Sequence, residues 1–331
     1  MSAFLATLAL ALLAGLCFAL GTSLLVAIGW PALRRILARA HPAIRAQLTF
    51  ALSVAPGFVP LWLIALCLAP GMASLLGWHE DHCLTHRAHL HLCFTHPRAA
   101  LTTPLAVVLG VAGGGLLASL GWGTWRLARW RKQIEALRVA AAETLAPGVR
   151  LIPSEQPFSL TLGLGRPEIW VSSALVDALP KPQLDVVLAH ERAHARRRDS
   201  LRRVAAHALS LPLWPGLRRE LLTELAVSSE QACDEAAGRE LGDRLSVAET
   251  ILAVERLLAD VPPPRHSGPL LAFGGNAVPQ RVAGLLADAP AQASRALAAL
   301  IVGGAIAAGW LFDGALHHTT EHLLNLLLHV L

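Results

Sequence analysis

From Phe4 to Trp30 the chain carries no charged residue. A helix needs about 20 mainly apolar residues to cross a bilayer, and a run of this length is hard to cover with anything but lipid. Residues 3–30 form a first such run. Residues 48–78 form a second, in which Pro56, Pro60 and Pro70 predict kinks. Residues 101–125 form a third, with small residues from Gly110 to Gly115 suited to close helix packing. A shorter fourth run covers 296–312. Only 15% of the residues are charged, against about 25% in ordinary soluble domains. The first run lacks a basic leader and is too long for a signal-peptide core, so it reads as a retained span.

Basic residues flank the runs unevenly. Arg34, Arg35, Arg39 and Arg45 follow the first span with no acid between them, and Arg126, Arg129, Arg131 and Lys132 follow the third. Between spans two and three, Arg87 and Arg98 stand with Glu80 and Asp81. The positive-inside rule then puts the loop 31–47 and the segment 131–295 in the cytoplasm. The N-terminus, the loop 79–100 and the tail 314–331 face outward. The expected organisation is three spans over 1–130, a soluble domain over 131–295, and a fourth span over 296–313. The whole is a multi-pass protein of the inner membrane, with the bilayer as one partner. Because the positive charge borders the spans, the net charge of +5 does not argue for direct nucleic-acid binding.

The soluble segment holds "VVLAHERAHARRRD", Val186 to Asp199. Leu184 to Arg198 reads as a helix, with Pro182 in its first turn, where a missing N–H costs nothing. Leu184, Val187 and Leu188 supply a buried stripe. Four residues apart, His190 and His194 share one face, so both imidazoles can reach one Zn²⁺. Glu191 lies beside the pair but angled away. It can take a proton from attacking water without occupying a coordination position.

A catalytic zinc commonly has three protein ligands. Downstream, "SSEQACDEAA" offers Glu230 as a third ligand. Asp234, one turn on, can accept a ring N–H from a ligating histidine. Glu220, Glu224, Glu235 and Glu240 compete for the ligand position, and spacing alone does not exclude them.

The stretches "RPEIWVSSALVDALPKPQLDVVLAHERAHARRRD", "EQACDEAA" and "VPQRVAGLL" before a last span resemble, in that order, the BlaR/MecR-type membrane metallopeptidases. These are the antirepressor sensor-transducers of β-lactam resistance and their relatives. The resemblance covers the span pattern and residues 150 to 313. It implies a predominantly α protein of four transmembrane helices, with a cytoplasmic gluzincin-like α+β zinc-peptidase domain inserted between helices three and four. It implies one zinc ion on His190, His194 and Glu230, Glu191 as the catalytic base, and Asp234 behind the ligands. It also implies a protein substrate, of which a winged-helix transcriptional repressor is one candidate. The penicillin-binding domain of the drug sensors has no counterpart here.

Ahead of the zinc helix, "PFSLTLGLGRPEIWVS" alternates as two short strands around a Gly163–Pro167 turn. Ser159, Leu160, Thr161 and Leu162 then form either an edge strand that takes an extended substrate or a plain hairpin over the core.

The outward loop carries His79, His82, His86 and His89, a stripe if helical. It reads as a solvated loop of biased composition, a metal site or a pH-responsive site. Cys83 and Cys93 fit a disulfide in an oxidising compartment, but a continuous helix would hold them about 15 Å apart. The disulfide and the helical stripe exclude each other. Two function classes remain: a zinc endopeptidase acting on a cytoplasmic or membrane-proximal regulator, and a non-catalytic signalling or metal-sensing protein with a structural zinc. The intact Glu191 favours the enzyme, because a structural site has no use for a base.

Overall fold

A computed structural model describes residues 3–78, 143–259 and 277–287, with isolated positions between 107 and 135 and at 303 and 307. The outward histidines, Cys83, Cys93, the tail and most of spans three and four lie outside the described residues.

Helix α1 (Ala3–Leu37) and helix α2 (Pro42–Leu75) lie side by side. Leu8–Leu37 and Pro42–Ala69 are each long and apolar enough to cross a membrane. The segment 31–47, expected as a loop, is mostly helical. α1 continues through Pro31, and only residues 38–41 separate it from α2. The cause is tertiary. Val26, Trp30 and Leu37 are buried in one cluster with Leu213 and Leu221 of the soluble part, which holds the helix past its proline. The His41 ring nitrogen accepts from the Ala43 N–H at 3.1 Å and so starts α2. α2 is continuous past Pro56, Pro60 and Pro70.

The soluble part begins with a four-stranded sheet. Strands β1 (Glu143–Ala146), β2 (Val149–Ile152), β3 (Ser159–Leu162) and β4 (Glu168–Ser172) lie in the order β1-β2-β4-β3. Pro147 and Gly148 (φ +76°) turn β1 into β2. The β3–β4 hairpin closes at Gly163 (φ +113°), where a Cβ would stand 2.5 Å from the Arg166 carbonyl oxygen. β2 and β4 run parallel; the outer pairs are antiparallel. Alternation sorts the faces. Val149, Ile169 and Val171 pack on the helices, while Trp170 and Ile152 pack with Phe158, Leu160 and Leu162 on the other side.

Ser172 ends β4 and caps the short helix α3 (Ser173–Ala178) by accepting from the Leu175 N–H. Helix α4 (Lys181–Arg197), with Pro182 in its first turn, is the central element. Val187 and Leu188 face the sheet, with Leu184 partly buried at its margin. Val186 and Ala189 face three further helices. Arg198 then adopts a left-handed conformation (φ 53°, ψ 44°), and α5 (Asp199–Leu209) starts at once in a new direction. Helix α6 (Pro215–Leu241) returns along α2 and ends at Gly242 (φ +75°). Helices α7 (Arg244–Ala259) and α8 (Val278–Leu286) complete the layer around α4.

Candidate metal centre

α4 and α6 pack against each other and bring three donors together. His190 Nε2 and His194 Nε2 are 3.1 Å apart. Glu230, from α6, places one oxygen 3.4 Å from His190 Nε2 and the other 3.4 Å from His194 Nε2. All three side chains are largely buried. A tetrahedral zinc with ligand bonds near 2.0–2.1 Å needs donors about 3.3 Å apart. These spacings match that edge length.

The other ring nitrogens fix the tautomers. His190 Nδ1 lies 2.9 Å from Asp234 Oδ1, and His194 Nδ1 lies 2.9 Å from Asp199 Oδ2. With each Nδ1–H donating to a carboxylate, both Nε2 lone pairs turn toward Glu230. Three lone-pair groups facing one point repel one another unless a cation sits among them, so the donor set fits a zinc ion. The surrounding groups also favour a proton on His194, which a bound metal would displace. Burial opposes charge on His194, yet Cys233, Glu230 and Asp199 raise its pKa well above the ordinary range. Burial likewise opposes charge on Glu230, but His194, His190 and Arg281 hold it well below the usual carboxylate range.

A second group of donors, His194, Asp199 and Cys233, also converges. Cys233 Sγ is 3.3 Å from His194 Nδ1. Burial pushes its thiol up to about 11, and a thiol is a poor ligand compared with a thiolate. The group therefore backs His194 rather than holding a metal itself.

Glu191 points to the sheet. Ser159 Oγ donates to its Oε1 at 3.0 Å, and Thr161 Oγ1 donates to its Oε2 at 2.7 Å. Both hydroxyls come from the helix-facing side of β3. The Ser172 N–H donates to the Phe158 carbonyl. That phasing turns the backbone groups of Ser159 and Thr161 to the outer edge of the sheet, which no described strand covers. Ser200 Oγ donates to the Thr161 carbonyl at 3.0 Å. Leu160 and Leu162 lie on the opposite face, with Trp170.

The competing glutamates are engaged elsewhere. Glu220 pairs with Arg34, Glu224 with Arg45, Glu235 with Arg244, and Glu240 with Arg192 and Arg196. Sequence reading missed three residues at the site. Asp199 stands five residues past His194, and its position could have been tried as a partner. Arg281 of α8 makes a two-pronged contact with Asp234 at 2.8 and 2.7 Å and reaches Glu230 at 3.2 Å. Arg203 of α5 is half-buried within range of Glu230, Asp199 and Glu191, and burial lowers its pKa although those carboxylates oppose the shift. Neither arginine belongs to a local pattern that would have exposed it.

Residues 128–253 match the family model of peptidase family M48. Nothing matches among curated proteins or solved structures. The matched segment contains the sheet, His190, Glu191, His194, Asp199 and Glu230, and stops short of Arg281. The match indicates a metallopeptidase, in a family that is metal-dependent and usually uses zinc. It does not single out the BlaR/MecR type.

Proposed function

We propose that this chain is a membrane-embedded zinc endopeptidase that cuts a cytoplasmic or membrane-proximal regulatory protein. The reading rests on one arrangement: His190, His194 and Glu230 converge on a single point, with Glu191 next to them and not among the donors. A zinc ion bound there would supply Lewis acidity to polarise a peptide carbonyl and acidify water. Glu191 takes the proton of the attacking water and passes it to the departing amine nitrogen. Ser159 and Thr161 hold that carboxylate in place. An extended substrate pairs with the edge of β3 through the backbone of Ser159 and the N–H of Thr161. The arginine distribution supports a cytoplasmic peptidase domain, and the BlaR/MecR likeness supports an antirepressor role with a winged-helix repressor as target.

The test compares native and Glu191→Ala chains, purified in detergent, for zinc content and for cleavage of cellular proteins. Both should hold about one zinc, and only the native chain should generate new N-termini. Equal cleavage by the two overturns the reading, as does a native chain that binds no zinc.

A further inference from the structure

We infer that the turn joining α5 to α6, residues 209–214, is seated in the lipid bilayer and anchors the catalytic domain against the membrane. The inference rests on the membrane reading of α1 and α2. α5 runs alongside α2 in the same direction. The Arg202 guanidinium stands over the Phe50 ring, and seven residues further along both helices Gly57 abuts Leu209. A Cβ at Gly57 would come within 2.5 Å of the Leu209 carbonyl oxygen, so the two backbones touch. On the other side Ser23 Oγ of α1 donates to the Pro212 carbonyl at 3.2 Å.

Ser23 and Gly57 lie 11 and 12 residues from Arg34 and Arg45 along their helices, about 16 to 18 Å at 1.5 Å per residue. Those arginines mark the polar border of the spans, and the hydrocarbon core is about 30 Å thick. The turn therefore sits well inside the apolar zone.

Its surface suits that depth. Leu211 is 59% exposed and Trp214 48% exposed. They join a belt of exposed apolar side chains on the spans, including Leu24, Leu25, Phe58 and Leu61. The backbone suits it too. Irregular chain at membrane depth must have its polar groups satisfied from within the protein. The Pro212 carbonyl takes the Ser23 hydroxyl, and Pro212 has no N–H to satisfy. The Ser210 carbonyl takes the Leu213 N–H, and the Trp214 carbonyl takes the Arg218 N–H. The Arg218 side chain donates to Ser210 Oγ and to the His207 carbonyl, each at 3.0 Å. Nearer the border, Arg34, Arg219, Glu220 and Glu224 line an open cavity of about 600 Å³, so charged groups gather at the level of the polar border. Since α5 begins at Asp199 against His194, the metal centre lies one short helix below the turn. The substrate is then a peptide segment at the membrane surface.

The test places a photoreactive benzoylphenylalanine at 211, 214, 25 or 245 of the full chain in phosphatidylcholine–phosphatidylglycerol vesicles. Leu245, at the start of α7, is exposed and stands at the far end of α6. Zinc content checks that each variant folds. Irradiation should give lipid adducts at 25, 211 and 214 and none at 245. Adducts at 25 but not at 211 or 214 overturn this inference and leave the spans intact. No adducts at 25 overturn the membrane reading and the inference with it. Neither outcome bears on zinc-dependent cleavage, which is measured separately.

Discussion

At the scale of single residues, the site is governed by what stands behind the donors. Ser159 and Thr161 each give Glu191 one hydrogen bond. A hydrogen bond to a charged group contributes about 1.5–3 kcal/mol. Removing both hydroxyls in Ser159→Ala/Thr161→Val should lower kcat by at least about tenfold with KM little changed, because the backbone edge proposed to bind substrate survives. A rise in KM at constant kcat would move these residues from holding the base to holding the peptide. Asp199 acts on His194 in a different way. Its carboxylate orients the ring and strengthens it as a ligand. Asp199→Asn should weaken zinc binding about 10- to 100-fold in competition with a chromophoric chelator. Unchanged affinity would mean that the Nδ1 contact has no part in holding the ion.

At the scale of elements, legibility in the sequence followed distance along the chain. α4 was readable because its signal is local: Pro182, the apolar stripe and two histidines one turn apart. Glu230 and Asp234 were readable as a second one-turn pair, although four other glutamates could not be dismissed until their arginine partners were seen. β1 and β2 were not read at all. Each is four residues long, too short for alternation to stand out, and only the Pro147–Gly148 turn marks them. Arg281 comes 47 residues after Asp234, and the pairing exists only because α8 folds back on α6. The continuation of α1 past residue 30 was not read because the apolar run ends at Trp30, whereas Leu213 and Leu221 pack with the helix beyond it. The contact between α2 and α5 gives a test at this scale. Gly57→Val puts a branched side chain against backbone that cannot yield cheaply. It should cost about 1–3 kcal/mol, seen as a lower Tm in detergent with the zinc ligands untouched. An unchanged Tm would show that the two helices are not in contact.

At the scale of the whole molecule, the spans and the soluble part are tied together by charge. Arg34 pairs with Glu220 and Arg45 with Glu224, and Arg45 also donates to Gln231, the neighbour of Glu230. Under the proposed membrane reading, these contacts put the domain on the side that holds the arginines. Reporter fusions should score position 145 as cytoplasmic and position 90 as periplasmic. The opposite pattern would put the metal centre outside and remove cytosolic repressors as targets.

Arg281 also sets the order in which the molecule can mature. It neutralises Asp234 and Glu230, both buried, and a buried carboxylate without its partner is strongly destabilising. A ribosome that has released α6 but not yet α8 has made every proposed zinc donor and the proposed base, and still lacks this cation. The centre is then completed only after nearly all of the chain has been synthesised.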